Sequence, residues 1–523
     1  MTIACHFSQL NIEFNQTALF PPLSGTLSCQ KNALIGHNGR GKSVLMQLLA
    51  QVFVPTQGDV HWNIPFIHVN QLTRLTGETL VDALGITSLY HAFSRIEAGN
   101  GTQPDFELVD DKWHLPSQWQ NLLDSARLPV SMETPIAHLS GGERTRLALC
   151  RAFLQQDSFL LLDEPDNHLD TRSRQWLSQK LTEHRAGSLV ISHNRALLGE
   201  MATIFELTEK GLQEYGGNYA LYDTQKNFEI AAIDAQAARL EKRINQEKKQ
   251  LQTTLQKAAQ RKKQGEKIRY GGSQSLLLLD MQKNRAEKRQ SNVADRHQRV
   301  MDNLQGQQQE NQEKIHHIKQ QKMVIAYQCE GKKVTVFASD LCLPYGHLSP
   351  LSFTVYSGEH WHIQGDNGCG KSTLLKVLAG HLKAQSGESR LSGCFCYLDQ
   401  HLNLLDKTLP VGEALHQHQP IFTVEQWRTQ LGMLRIRGDK SLLPLQQLSG
   451  GEQLKATLLA LTHSPNPPAI LLLDEPDNHL DLESKQLLED VLNNYQGTLL
   501  LVSHDNAFIE RCNITHTLNL SNE

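Results

Sequence analysis

Leu162-Asp-Glu-Pro-Asp-Asn-His-Leu-Asp170 recurs letter for letter as Leu473-Asp-Glu-Pro-Asp-Asn-His-Leu-Asp481. Each copy closes an apolar run, Ser158-Phe-Leu-Leu-Leu in the first and Ala469-Ile-Leu-Leu-Leu in the second. Such a run, apolar without alternation, predicts a strand in a parallel sheet covered on both faces. Both strands end in two adjacent carboxylates, Asp163-Glu164 and Asp474-Glu475. The chain therefore reads as an α/β fold that has been duplicated.

Upstream of each copy stands a glycine-rich loop, Gly36-His37-Asn38-Gly39-Arg40-Gly41-Lys42-Ser43 and Gly365-Asp366-Asn367-Gly368-Cys369-Gly370-Lys371-Ser372-Thr373. Both fit G-x-x-x-x-G-K-S, follow an apolar segment and open a helical one, which is the strand–loop–helix setting the motif requires. Glycines let backbone N–H groups curl around phosphates, and the helix N-terminus adds its dipole. The lysine neutralises phosphate oxygens, and the serine hydroxyl is a ligand for Mg²⁺. Asp163 and Asp474 are placed to hold the same ion, directly or through water. Glu164 and Glu475, at the strand ends, are placed to polarise an attacking water. Ile191-Ser192-His193 and Val502-Ser503-His504 close a further apolar strand in each half, with histidines positioned for a γ-phosphate and that water. A lone loop of this kind is a weak signal. Two, each with its companions at matching spacing, specify nucleotide hydrolysis.

The register of the repeat is itself informative. Lys42 and Lys371 lie 329 residues apart, as do Gln71 and Gln400, whereas Ser140 and Ser449 are only 309 apart. The first half thus carries about 20 extra residues, in the stretch Ala92 to Pro129, expected to form an exposed loop or small helical projection. The expected domains are 1–222, a linker 223–325 and 326–523.

Hydrophobic residues make up 39 % of the 523 and charged residues 20 %, an ordinary globular balance, with a net charge of -4. No run approaches the roughly 20 apolar residues of a bilayer span. No secretory leader is evident, and nine cysteines without a Cys-x-x-Cys pair point to a reduced, cytoplasmic setting. Cys394 and Cys396 read as strand packing, and His316-His317 and His416/His418 as solvated residues, rather than as metal sites.

The linker differs in composition from both flanks: Gln, Lys, Arg, Ala and Glu dominate, which predicts two long helices broken at Gly271-Gly272. From Arg239 to Arg299 there are 17 Lys or Arg and 6 acids, a local balance of +11 in a net-negative chain. A one-sided block of that sign is a footprint for a polyanion rather than the alternating charge of a solvated spacer. The expected first helix, Asp223 to Gln264, spans roughly 60 Å at 1.5 Å per residue.

With Leu139-Ser140-Gly141-Gly142-Glu143 and Leu448-Ser449-Gly450-Gly451-Glu452 added to the phosphate loops, Gln71/Gln400, acidic strand ends and switch histidines, the chain resembles an ABC ATPase. The linker-joined pair, with Glu-Pro-x-Asn-His-Leu-Asp in both halves, resembles the ABC-F subfamily over essentially the whole chain. The resemblance implies two P-loop ABC-type nucleotide-binding domains joined by a long α-helical hairpin, acting as an intramolecular cassette dimer in a monomeric, cytoplasmic protein. Cassettes pairing head to tail would share one ATP between Lys42, Glu164, Ser449 and Gly451, and the other between Lys371, Glu475, Ser140 and Gly142. Mg²⁺ would be held by Ser43, Asp163 and Gln71 in one site and by Ser372, Asp474 and Gln400 in the other. Phe14 and Tyr345 match the adenine-stacking position, though core aromatics fit the same pattern.

For partners, the resemblance implies the ribosome, with the hairpin tip, about 270–279, reaching P-site tRNA and rRNA. Candidate phosphate contacts are Arg261, Lys262, Lys263, Lys267, Arg269, Lys283, Arg285, Lys288 and Arg289. Leu276 to Leu279 would either enter an RNA crevice or pack the two helices together, and packing is the preferred reading. Translation regulation, stall rescue and antibiotic resistance by ribosome protection all fit. A DNA-associated ATPase and the ATPase subunit of a membrane transporter are the alternatives. The chain departs from the family pattern at Asp166 and Asp477 (usually Thr), Asn194 (usually Asp) and Val44 (usually Thr). The last two fall in the first half only, so the two sites are expected to differ in rate.

Overall fold

In each half of the computed structural model, a mostly parallel sheet carries the repeated apolar strands at its centre. The structure describes residues 2–14, 17–70, 75, 77–129, 131–167, 169–270, 299–304, 306–308, 323–328, 331–347, 349–366, 368–478 and 480–520. In the first cassette the strand order is Gly211–Gly216, Thr203–Thr208, Lys31–Gly36, Ser188–Ile191, Phe159–Asp163, Phe66–Val69. All neighbours run parallel except the edge hairpin Thr203–Thr208/Gly211–Gly216. Phe159–Asp163 and Ser188–Ile191 are buried throughout, as two-sided coverage demands. A smaller antiparallel sheet, Leu23–Ser28, Ile3–Asn11 and Gln57–Trp62, lies beside it.

The second cassette repeats the plan. A five-stranded parallel sheet runs Phe395–Leu398, Ile470–Asp474, Thr498–Val502, His360–Gln364, His516–Asn519. Its antiparallel partner is Leu351–Tyr356, Val334–Cys342, Ser386–Leu391. Parallel central strands place both carboxylate-bearing ends on the same edge as the phosphate loops, the edge where α/β sheets bind ligands.

The extra stretch of the first half is helical: Thr87–Glu97, Gln103–Val109 and Leu115–Ser125. Phe93, Val109, Trp119 and Leu123 are buried there. The bidentate Arg95–Asp105 pair ties the first two helices together. His416 departs from the solvated expectation, because its Nδ1 meets the Phe422 carbonyl at 2.7 Å. Cys396 is a buried strand residue, whereas Cys394 precedes the strand and is exposed. His316-His317 lie outside the described residues.

Residues Met1–Ala220 with Gln321–Glu523 form one compact unit, so both cassettes belong to a single body; Leu221–Gln320 form another. One uninterrupted helix, Tyr219–Tyr270, all but its first two residues in the second unit, extends past both ends of its expected range. At 1.5 Å per residue its 52 residues span about 78 Å. A returning helical stretch, 299–304, packs Val300, Met301 and Leu304 on Leu240 and Ile244. That contact is the hairpin. Of the expected tip, Tyr270 is the last residue of this helix, while 271–279, including Leu276 to Leu279, and Lys283, Arg285, Lys288 and Arg289 lie outside the described residues. Among those described, no helix is long and apolar enough to cross a membrane.

Candidate nucleotide sites at the cassette seam

Lys42 and Lys371 each open an eight-residue helix whose N-cap is a glycine in the left-handed region, Gly41 at φ 90° and Gly370 at φ 102°. A Cβ disfavours that conformation, which explains the glycine. Neither helix carries an acid in its first turn, so the positive end of the dipole is left for an anion. The Lys42 ammonium donates to the carbonyls of Gly36 (2.6 Å) and His37 (3.2 Å) and to Asn38 Oδ1 (3.2 Å). Lys371 donates to Gly365 and Asp366 carbonyls at 2.8 and 2.9 Å. Burial lowers Lys42 to about 8, a cost that a phosphate's charge would reverse.

Behind each loop sits the strand-end aspartate. Ser372 Oγ donates to Asp474 Oδ1 at 2.9 Å, and Ser43 bonds Asp163 likewise. Burial raises both aspartates, and Asp163 Oδ1 has no hydrogen-bond partner. Among the described residues no three His, Cys, Asp or Glu cluster as a metal cage. A serine hydroxyl beside one carboxylate is instead the donor set of a cation that shares its shell with phosphates and water, and it fits Mg²⁺. Gln400 lies half-buried in the turn after Phe395–Leu398; Gln71 and Asn367 lie outside the described residues.

Glu164 and Glu475 both have left-handed backbone, at φ 50° and 49°, unusual for glutamate. Each N–H still bonds the neighbouring strand, to Ile191 and Val502 carbonyls at 2.9 Å, so the kink swings the side chain off the strand line. Asn167 and Asn478 hold the two carboxylates through amide hydrogen bonds of 2.6 and 2.5 Å. These asparagines were not singled out in the sequence, although their recurrence three residues after each glutamate was the available signal.

The two glutamates differ electrostatically. Burial and the charge of Asp163 raise Glu164. Glu475 feels the same burial but is held below the usual range, chiefly by His504, whose Nε2 is 3.5 Å away. His193, the counterpart of His504, is buried with neither ring nitrogen hydrogen-bonded, and burial holds its pKa well below the ordinary value. Next to the aspartates, Tyr397 donates to Asp474 at 3.3 Å where the first cassette has His68.

Ser140 and Ser449 are the N-caps of Gly141–Phe153 and Gly450–Thr462, each in a reciprocal capping box with Glu143 or Glu452. The Ser-Gly-Gly-Glu tetrad is thus a helix start with its amide end presented outward. Gly451 packs closely: a Cβ there would lie 2.3 Å from Ser484 Oγ, in the helix capped by Asp481, so a larger residue would displace that hydroxyl. Asp481 accepts the Asn38 N–H of the opposite loop at 3.0 Å. His37 Nδ1 lies 2.9 Å from Glu483. The His37 ring 3.8 Å away, with hydrogen bonds from the Ser484 and Asn38 N–H groups, overcomes burial and holds Asp481 far below the usual carboxylate range. The first phosphate loop is therefore brought against the Gly451–Ser484–Asp481 corner of the second cassette. On the other seam Arg172 lies 3.7 Å from Asp366, and Arg174 donates to the His504 carbonyl at 2.9 Å. Phe14 and Tyr345 are outside the core, 47 % and 71 % exposed. Tyr345 precedes Gly346, whose backbone abuts Gly370.

The ABC transporter family profile matches residues 23–167 and 348–478, one span in each half. Over 525 residues the chain is 30 % identical to the probable ATP-binding protein YheS of Haemophilus influenzae, covering 95 % of this chain and 76 % of that one. It is 28 % identical to the energy-dependent translational throttle protein EttA of Mycobacterium tuberculosis, covering 93 % and 86 %. The chain belongs to the ABC-F family. Its fold also matches an archaeal ribosome recycling factor, aABCE1, solved with ribosomal stalk protein aP1, at TM-score 0.53 and 18 % identity, covering 96 % of this chain and 86 % of that one. As an ABC-F protein it binds ATP and hydrolyses it at cassettes that face each other across one seam.

Proposed function

We propose that this ABC-F ATPase binds the ribosome with its cassettes closed on ATP and leaves after hydrolysis, its basic hairpin acting on P-site tRNA and rRNA. The observation that carries this is the +11 balance between Arg239 and Arg299, of which 11 cations and 3 acids, from Arg239 to Arg269, fall on a helix about 78 Å long. Relatives named for translational throttling and ribosome recycling support it. Arg261, Lys262, Lys263, Lys267 and Arg269 fall on the last turns of that helix, and with the cations beyond them would meet RNA phosphates.

In the site, Lys42 and Lys371 turn from loop carbonyls to β- and γ-phosphates, and Ser140 and Ser449 present helix N-termini across the seam. Phe14 and Tyr345 are exposed for adenine stacking. Ser43, Asp163 and Gln71, or Ser372, Asp474 and Gln400, would hold Mg²⁺, which would supply charge neutralisation for the phosphates. Glu164 and Glu475, aimed by their asparagines, orient water and accept its proton, while His193 and His504 face the γ-phosphate. The Glu475–His504 contact makes the second site the readier hydrolase.

The test is the Glu164→Gln/Glu475→Gln double variant, which keeps size and the asparagine bonds but removes the base. In ATP it should sediment with ribosomes in excess over wild type, and more strongly than with DNA at equal salt. Equal ribosome-bound fractions for variant and wild type would refute the proposal; tighter retention on DNA would redirect it to a DNA substrate.

A further inference from the structure

The two cassettes are repeats, so each seam position has an equivalent in the other half. Asp170 and Asp481 are the same residue in both copies, but the charged positions around them are not. The first loop places His37 against Glu483, whereas the second places Asp366 against Arg172, with the signs exchanged. Deeper in the seam, Arg195 of the first cassette is ion-paired to Glu489 of the second, and both side chains are only 5 % exposed. Their equivalents are Asn506 and Ser178, which carry no charge. Arg511 adds a second cation 3.6 Å from Glu489, while its equivalent, Glu200, takes a hydrogen bond from Ser178.

None of these pairs survives an exchange of cassettes. Two first cassettes would set His37 on Arg172, where it loses the Glu483 carboxylate, and bury Arg195 opposite Ser178. Two second cassettes would set Asp366 on Glu483 and leave Glu489 facing Asn506. A buried charge without its partner is strongly unfavourable, and selectivity is built as much from such mismatches as from the matches.

We propose that His37–Glu483, Asp366–Arg172 and Arg195–Glu489 form a pairing code that matches each cassette face to the opposite cassette of its own chain. The shared motifs make any two such cassettes able to meet. These three pairs select which two do, and they add to the seam contacts that neither nucleotide nor ribosome supplies.

The test transplants one seam's chemistry onto the other. Asp is native at the equivalent of His37, so His37→Asp leaves a functional loop sequence but sets like charges on Glu483 and Asp481. In an Arg435→Ala background, which removes the guanidinium that Glu483 bonds within its own cassette at 3.1 Å, His37→Asp/Glu483→Arg recreates the Asp366–Arg172 pair. Hydrogen exchange of peptides covering residues 37–45 and 481–489 reads the seam directly, and ATP turnover reads its use, which rests on closure preceding hydrolysis. The single variant should exchange at least tenfold faster at these peptides and lose at least tenfold in turnover. Raising salt from 0.1 to 1 M should relieve part of both losses, because repulsion is screened as the Debye length falls from about 10 to 3 Å. The double variant should return to within about threefold of wild type. Arg195→Glu and Glu489→Arg, singly and together, repeat the cycle at the buried pair, with thermal unfolding run to show that each variant folds. Wild-type exchange in His37→Asp, or no recovery in the double variant, would overturn the code. Restored exchange without restored turnover would leave the code standing and count against closure-driven hydrolysis.

Discussion

Removing the amide that aims the glutamate at each site should slow hydrolysis without weakening nucleotide binding. Asn167 and Asn478 each donate to a carboxylate on a left-handed residue, at 2.6 and 2.5 Å. A hydrogen bond to a charged group contributes about 1.5–3 kcal/mol. If that energy is spent on holding the base in place, its loss at about 1.4 kcal/mol per decade corresponds to roughly 10- to 150-fold in rate. Asn167→Ala/Asn478→Ala should therefore lower kcat by one to two orders of magnitude and leave the KM for ATP within about twofold. The amide also lowers the pKa of both glutamates. Without it they are protonated at higher pH, so the acid limb of the pH–rate profile should move up. Steady-state phosphate release across pH, with nucleotide binding measured separately, decides the matter. An unchanged kcat, or a raised KM at constant kcat, would show that the asparagines support the fold and not the base.

Three further outcomes are expected. Ser372→Ala removes the hydroxyl that bonds Asp474 at 2.9 Å, and should raise the Mg²⁺ concentration needed for half-maximal turnover about 10- to 100-fold in a background carrying Glu164→Gln. His37, raised to about 9 by the carboxylates of Asp481 and Glu483, 3.8 and 2.9 Å from its Nδ1, contributes stability that is complete below about 6.5 and disappears as pH rises through about 9. The difference in unfolding temperature between wild type and His37→Asn should accordingly shrink from pH 6 to pH 10. Trp427 is fully buried, donates to the Gln419 carbonyl and packs edge-on against Phe422, so Trp427→Ala should cost roughly 3–5 kcal/mol. Differential scanning calorimetry should show the second cassette unfolding about 6–20 °C lower.

Much of this protein was readable one residue at a time. Phosphate loops, acidic strand ends and the Ser-Gly-Gly-Glu starts are local devices, because each works through backbone conformation over eight residues or fewer. The uninterrupted apolar runs determined that their strands would be buried on both faces, and the Gln- and Lys-rich linker determined a helical hairpin. Only the tertiary structure decided what stands across the seam. His37 and Glu483, or Arg195 and Glu489, are separated by hundreds of residues and lie in no shared pattern, so nothing in the chain's order announces that they meet. The same holds for the inequality of the sites. His193 and His504 follow equivalent strands and carry identical side chains, yet His504 lies 3.5 Å from its glutamate while neither ring nitrogen of His193 is hydrogen-bonded, because the electric and steric surroundings of a histidine are set by whatever packs against it.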